Sequence, residues 1–147
     1  MEKRMKPIKI TIHSFSGQLT NPDKITIVAY GKMAKRFDKY YAVYEETSLT
    51  GMEGTKTTIK WDENSVTILR TGTYNNRQEY IVGYPCESVY ATPYLTIPIK
   101  STTTVVEVKK HQEIWNLHVE YELEVGQETN GRIILDIVIE EDASSEY

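Results

Sequence analysis

Leu117-His118-Val119-Glu120-Tyr121-Glu122-Leu123-Glu124-Val125 alternates apolar and polar side chains at every step, and the pattern resumes at Ile133, Leu135, Ile137 and Ile139. A period of two turns one row to a core and the other to water, as in an antiparallel pair with one wet face. The connection, residues 126–131, begins and ends on glycine, so the segment reads as a hairpin. The same period runs back through the chain. Ile8, Ile10 and Ile12 alternate with Lys9, Thr11 and His13 in a first strand that ends near Gly17 and an Asn21-Pro22-Asp23 turn; Ile25, Ile27 and Ala29 carry a second. Residues 32–39 read as a basic loop. Strand three covers 40–48, strand four carries Thr57, Ile59 and Trp61, strand five Val66, Ile68 and Arg70, and strand six covers 77–84. Beyond the Tyr84-Pro85-Cys86 break, residues 90–110 form one long bent strand or two short ones. Pro93 and Pro98 remove ladder donors there, and the bend is expected near Pro98.

This pattern predicts an all-β chain. About eight to ten short strands in one run leave two edges to protect, and closure into a single antiparallel lipocalin-like barrel removes both. A β-sandwich is the runner-up. Residues 1–140 are expected to form one domain, and 141–147 a disordered acidic tail. At 147 residues a single domain buries roughly 70% of its unfolded surface, enough for a core without staples. No stretch approaches the ~18 apolar residues of a membrane helix, and the start lacks the apolar run of a signal peptide. One cysteine, Cys86, excludes an internal disulfide and suits a reducing cytoplasm. The net charge of −4 supplies no pull toward phosphate backbones or anionic lipid. Eleven tyrosines against two phenylalanines make the expected lumen amphipathic, since a buried hydroxyl needs a partner.

Tyr40-Tyr41-Ala42-Val43-Tyr44-Glu45-Glu46, Thr50-Gly51-Met52-Glu53-Gly54-Thr55, Arg70-Thr71-Gly72, Tyr90-Ala91-Thr92-Pro93-Tyr94 and Tyr121-Glu122-Leu123 together resemble the YwiB-like family, a bacterial domain of unknown function. The similarity runs from about residue 6 to 140. It implies a calycin-like, lipocalin-type barrel and carries no settled activity. Leu95 stands where the family tends to have glycine after Thr-Pro-Tyr, a departure at a tight turn.

Candidate chemistry lies where polar residues share the buried phase. Arg70 follows Val66 and Ile68 at spacing two, and a buried guanidinium is costly unless paired. Glu45, in phase with Tyr41 and Val43, is its expected partner, and Arg70, Glu45, Tyr121 and Tyr41 are the expected ligand-binding set for a small polar or anionic molecule. The competing reading is a structural ion pair, or Arg70 at a strand end in water. Thr50, Gly51, Met52, Glu53 and Gly54, with Thr92, Pro93 and Tyr94, form a candidate barrel-end motif in which Met52 is a plug or part of a surface. His118-x-Glu120 and His13 are too scattered to predict a metal site, and no cofactor is expected. Cys86 lacks an identifiable base, and no Gly-x-Ser-x-Gly elbow or phosphate loop occurs, so no catalytic residue is assigned. The basic 32–39 segment, with Phe37 and Tyr40, has the ingredients of a single-strand RNA or protein contact; the negative net charge argues against nucleic acid. The expected function is a non-enzymatic small-molecule-binding barrel, with an interaction module built on 32–39 as the alternative.

Overall fold

A computed structural model describes residues 5–18 and 21–142. Their elements are β1 (Lys6–Gln18), β2 (Asn21–Arg36), β3 (Lys39–Glu45), β4 (Thr55–Trp61), β5 (Val66–Gly72), β6 (Asn76–Tyr80), β7 (Cys86–Ala91), β8 (Thr96–His111), β9 (Ile114–Val125) and β10 (Glu128–Glu141). All ten lie in one antiparallel sheet in which each strand borders its sequence neighbours and β1 borders β10. Only the β6–β7 junction lacks a ladder. There Asn75 and Ala91 exchange two backbone hydrogen bonds of 2.9 Å, the Asn76 amide donates to Ser88 Oγ and the Val89 carbonyl, and Ser101 Oγ donates to Gln78 Oε1. The wall is therefore a nearly closed up-and-down barrel, and the sandwich reading falls. No helix among the described residues is long and apolar enough to cross a membrane.

The interior is built from the alternating rows. Ile8 and Ile10 of β1, Ile59 of β4, Leu117 and Val119 of β9, and Ile137 and Ile139 of β10 are buried together. Each contributes about 1.5–3 kcal/mol by leaving water. The wall also buries the polar side chains of Glu46, Thr55, Thr57, Asn76, Gln78, Ser101 and Thr103.

Several boundaries differ from the sequence reading. Residues 32–36 are not loop: they continue β2 and pair with β3 from Lys32 opposite Val43 to Arg36 opposite Lys39, leaving Phe37 and Asp38 as the turn. Charged side chains do not oppose a strand when they point outward or lie at a rim. The Asn21-Pro22-Asp23 turn expected after strand one is not there, because β2 already begins at Asn21; residues 19–20 lie outside the described set. Strand six stops at Tyr80, where Tyr84 N–H donates to the Ile81 carbonyl. The 90–110 segment breaks at the turn 92–95, not at Pro98, which lies inside β8 opposite Val89. Thr92 explains the break: its amide donates to the Leu95 carbonyl, and its Oγ1 accepts from the amides of Tyr94 and Leu95. With that cap the turn closes without glycine. The register shift in β8 comes further on, between Thr103 and Val105. At the far end β10 includes Glu141, and Asp142 N–H donates to the Pro7 carbonyl; the rest of the expected acidic tail lies outside the described residues.

Candidate functional site

Arg70 stands opposite Thr57 on β4 and Asn76 on β6, both buried. Directly opposed residues share a face, so Arg70 faces the lumen. Its neighbours there are tyrosines. Tyr80 and Tyr121 pack with ring centroids 4.7 Å apart, and Tyr44 stands opposite Thr57. Burial pushes all three phenols above their ordinary range. The Glu46 charge adds to the rise at Tyr44, and the Arg70 charge opposes it at each. All three hydroxyls consequently stay protonated; that of Tyr44 donates to Glu46 and that of Tyr80 to Tyr121, which leaves the Tyr121 proton. Glu46 is buried just past the end of β3, with Oε1 accepting from Thr50 Oγ1 at 3.0 Å and Oε2 from Thr57 Oγ1 at 2.5 Å. Arg70 itself is half-buried, and its Nε is sequestered with no acceptor among the described residues.

Two of the expected ligand residues are elsewhere. Glu45 is exposed opposite Lys56, and Tyr41 lies opposite Lys60, whose ammonium sits 5.9 Å from the ring centroid. Ala42 and Tyr44 are the inward residues of β3, so the assumed phase was off by one, which exchanges the two faces of a strand. Arg70 and Tyr121 do come together, and the carboxylate at this end belongs to Glu46.

The 50–54 element lies at the same end. Met52 Sδ accepts from the Tyr90 hydroxyl at 3.4 Å, with the Tyr74 ring beside Tyr90. Gly54 has φ +83° and a carbonyl that accepts from Thr73 N–H; a β-carbon there would stand 2.5 Å from Thr73 Oγ1. Gly51 and Glu53 are exposed, and in the 92–95 turn Pro93 and Tyr94 are exposed and Thr92 serves as the cap.

The opposite end was not singled out from sequence. Tyr40 stacks on Trp61 (5.7 Å, 15°) and contacts Trp115 (4.5 Å), and the two indoles meet edge to face at 5.6 Å. Lys35 lies 5.4 Å from the Tyr40 centroid and Lys110 5.3 Å from that of Trp115. The signal was available: each aromatic sits one or two residues from a hairpin turn on the buried phase. On the outer wall, His118 bridges Asp136 Oδ1 (2.5 Å) and Glu120 Oε2 (2.7 Å), and Arg132 holds the other oxygen of Glu120. Among the described residues no group of three or more His, Cys, Asp or Glu side chains is arranged to hold a metal ion.

A family model described as "Domain of unknown function (DUF1934)" matches residues 8–137. The chain belongs to the DUF1934 family. One relative, the "Uncharacterized beta-barrel protein YwiB" of Bacillus subtilis (strain 168), is 23% identical over 126 residues, 86% of this chain and 87% of the relative. The solved "Crystal structure of ywiB protein from Bacillus subtilis" matches with a TM-score of 0.83 at 20% identity over 96% of each chain. The resemblance to the YwiB-like family is thereby borne out, and the barrel described above shares its fold with that solved structure.

Proposed function

We propose that this barrel is a non-enzymatic, cytoplasmic binding protein of calycin type for a small anionic molecule, held by Arg70 with the Tyr121 hydroxyl as a donor. One observation carries the reading: a guanidinium inside the wall belongs to none of the ion pairs among the described residues and keeps a buried donor without an acceptor. A native fold rarely leaves such a group unmatched, because the missing bond costs about 1–3 kcal/mol or more for a charged donor. An oxyanion would satisfy it. Glu46 accepts from Thr50, Thr57 and Tyr44 and forms no ion pair with Arg70 among the described residues.

The test is thermal unfolding against inorganic phosphate and a panel of small carboxylates, beside Arg70→Ala. A ligand bound only by the folded state stabilises it by about 2.7 kcal/mol at a hundred times its Kd. The expected result is a rise in Tm that Arg70→Ala abolishes. A rise that persists in the variant, or none across the panel, overturns the reading.

A second reading, contact with RNA or protein through residues 32–39, has one observation in its favour. Phe37 is 84% exposed at the β2–β3 turn, with Arg36 5.8 Å from its ring centroid. Retention on single-stranded RNA at low salt, lost in Arg36→Glu, is its test; no retention rejects the RNA form.

A further inference from the structure

Three inward-facing rows end in lysine at the aromatic end of the barrel. Lys6 precedes Ile8 and Ile10 on β1, Lys35 follows Met33 on β2, and Lys110 follows Val106 and Val108 on β8. The register places Lys6 opposite Met33, Lys35 opposite Tyr40 and Lys110 opposite Trp115. Opposed residues share a face, so all three stems leave the backbone toward the mouth and not toward the outer wall. They rim an open groove of about 400 Å³ whose apolar lining includes Met33, Tyr40 and Trp115 and whose one acidic lining residue is Glu113. Glu113 is paired with Lys110 at 3.6 Å, whereas Lys35 enters none of the ion pairs among the described residues and lies over Tyr40. Three lysines and one acid line this groove, and Lys6 also borders Glu140 and Glu141 beside it.

Across the Tyr40–Trp115 ridge a second groove of about 400 Å³ carries Asp38, Asp62 and Glu63 together with the same Lys35 and Lys110. Asp62 is engaged there by the amides of Asn64 and Ser65 and by Lys39. Lys35 and Lys110 therefore border both sides of the aromatic ridge, and the acids Asp38, Asp62 and Glu63 lie on one side of it. Lysine stems can cover rings for packing alone. Packing alone does not explain why three lysines converge on one apolar floor.

We propose that the basic groove binds a small aromatic anion, its flat ring on Tyr40 and Trp115 and its carboxylate, sulfonate or phosphate group between Lys6, Lys35 and Lys110. The volume falls within the roughly 300–1,000 Å³ of small-molecule sites. Ring contact supplies affinity and the lysines supply orientation and attraction at a distance. This site is separate from Arg70 and does not depend on the reading given for it.

The only two tryptophans in the chain, Trp61 and Trp115, both belong to this mouth, so intrinsic emission reports on this end alone. The probe is 8-anilinonaphthalene-1-sulfonate, titrated into the full chain while tryptophan quenching and energy transfer are followed. The expected result is saturable one-to-one binding that weakens with added salt. It weakens at least about tenfold in a Lys35→Glu/Lys110→Glu double variant whose unfolding midpoint is unchanged. Arg70→Ala and Glu63→Gln bind like the parent. Absence of saturation in the parent, equal affinity in the double variant, or loss of binding on Glu63→Gln overturns the proposal. Loss on Arg70→Ala also overturns it, by moving the probe to the other site.

Discussion

At one end of the barrel Glu46 ties Thr50 and Thr57 together through its two oxygens, while at the other Tyr40, Trp61 and Trp115 hold the rim by ring contact. The first closure is directional: it depends on a few hydrogen bonds, and removing one partner strands the others in a dry place. The second depends on area, and its loss scales with the volume removed. Both ends bring charge into the inward phase, Arg70 at one and three lysines at the other. At the aromatic end open grooves of about 400 Å³ lie beside the lysines.

The strongest way to break this contrast is Trp61→Ala. Trp61 is 1% exposed, and truncating a buried tryptophan costs about 3–5 kcal/mol. Urea unfolding should register the full amount, and a loss under ~1 kcal/mol would remove the ring contacts from the account of this rim. Next comes Glu46→Ala, which leaves the buried Thr57 hydroxyl without its acceptor and should cost about 1–3 kcal/mol. Limited proteolysis should then cut within residues 47–54 while tryptophan emission stays put; a spectral shift as large as that of a rim variant would show that the ends are coupled. Arg70→Met is a smaller change. Replacing an unpaired guanidinium with an apolar stem should leave the ligand-free protein within about 1 kcal/mol of the parent or stabilise it. A loss above about 3 kcal/mol would mean the charge is compensated inside the wall.

The smallest effect belongs to neither end. Desolvation lowers the His118 pKa, but Asp136 and Glu120 outweigh it, so the folded value lies above the ordinary 6.5. Its contribution is complete below 6.5 and fades as pH rises through the raised folded value. Glu120 runs the other way: bonding first to Arg132 and then to His118 lowers it from 4.5, so its contribution holds above 4.5 and fades as pH falls through the lowered value. Unfolding midpoints followed against pH should lose the first of these slopes in His118→Asn, with emission from the mouth unchanged.

The β meander was legible because most strands carry apolar residues on one phase only. Val66 and Ile68 made the direction of Arg70 readable, and the 117–139 hairpin is unambiguous for the same reason. Strand β3 was not, because Tyr40, Ala42 and Tyr44 on one phase and Tyr41 and Val43 on the other are equally apolar. Its register against β4, with Ala42 opposite Ile59, settles which row is inside. Glu46 escaped notice for the same reason, because it continues the row of Ala42 and Tyr44 and not that of Tyr41 and Val43. The aromatic mouth was missed for a different reason: the apolar rows were followed along each strand and not across to where neighbouring rows end.

The closure of the wall carries a consequence for how the molecule is made. From Ile8 opposite Glu141 to Ser16 opposite Ile133, the first strand is zipped to the last, while the junction without a ladder falls between β6 and β7. A growing chain therefore holds β1 with one raw edge until β10 emerges, and pairing so remote in sequence folds slowly and leaves time for association between chains. A circular permutant that joins residue 142 to residue 6 and opens at Gly83 would turn that longest-range pairing into a local hairpin. Biogenesis would then proceed strand by strand, and the hardest step would become the short side-chain latch.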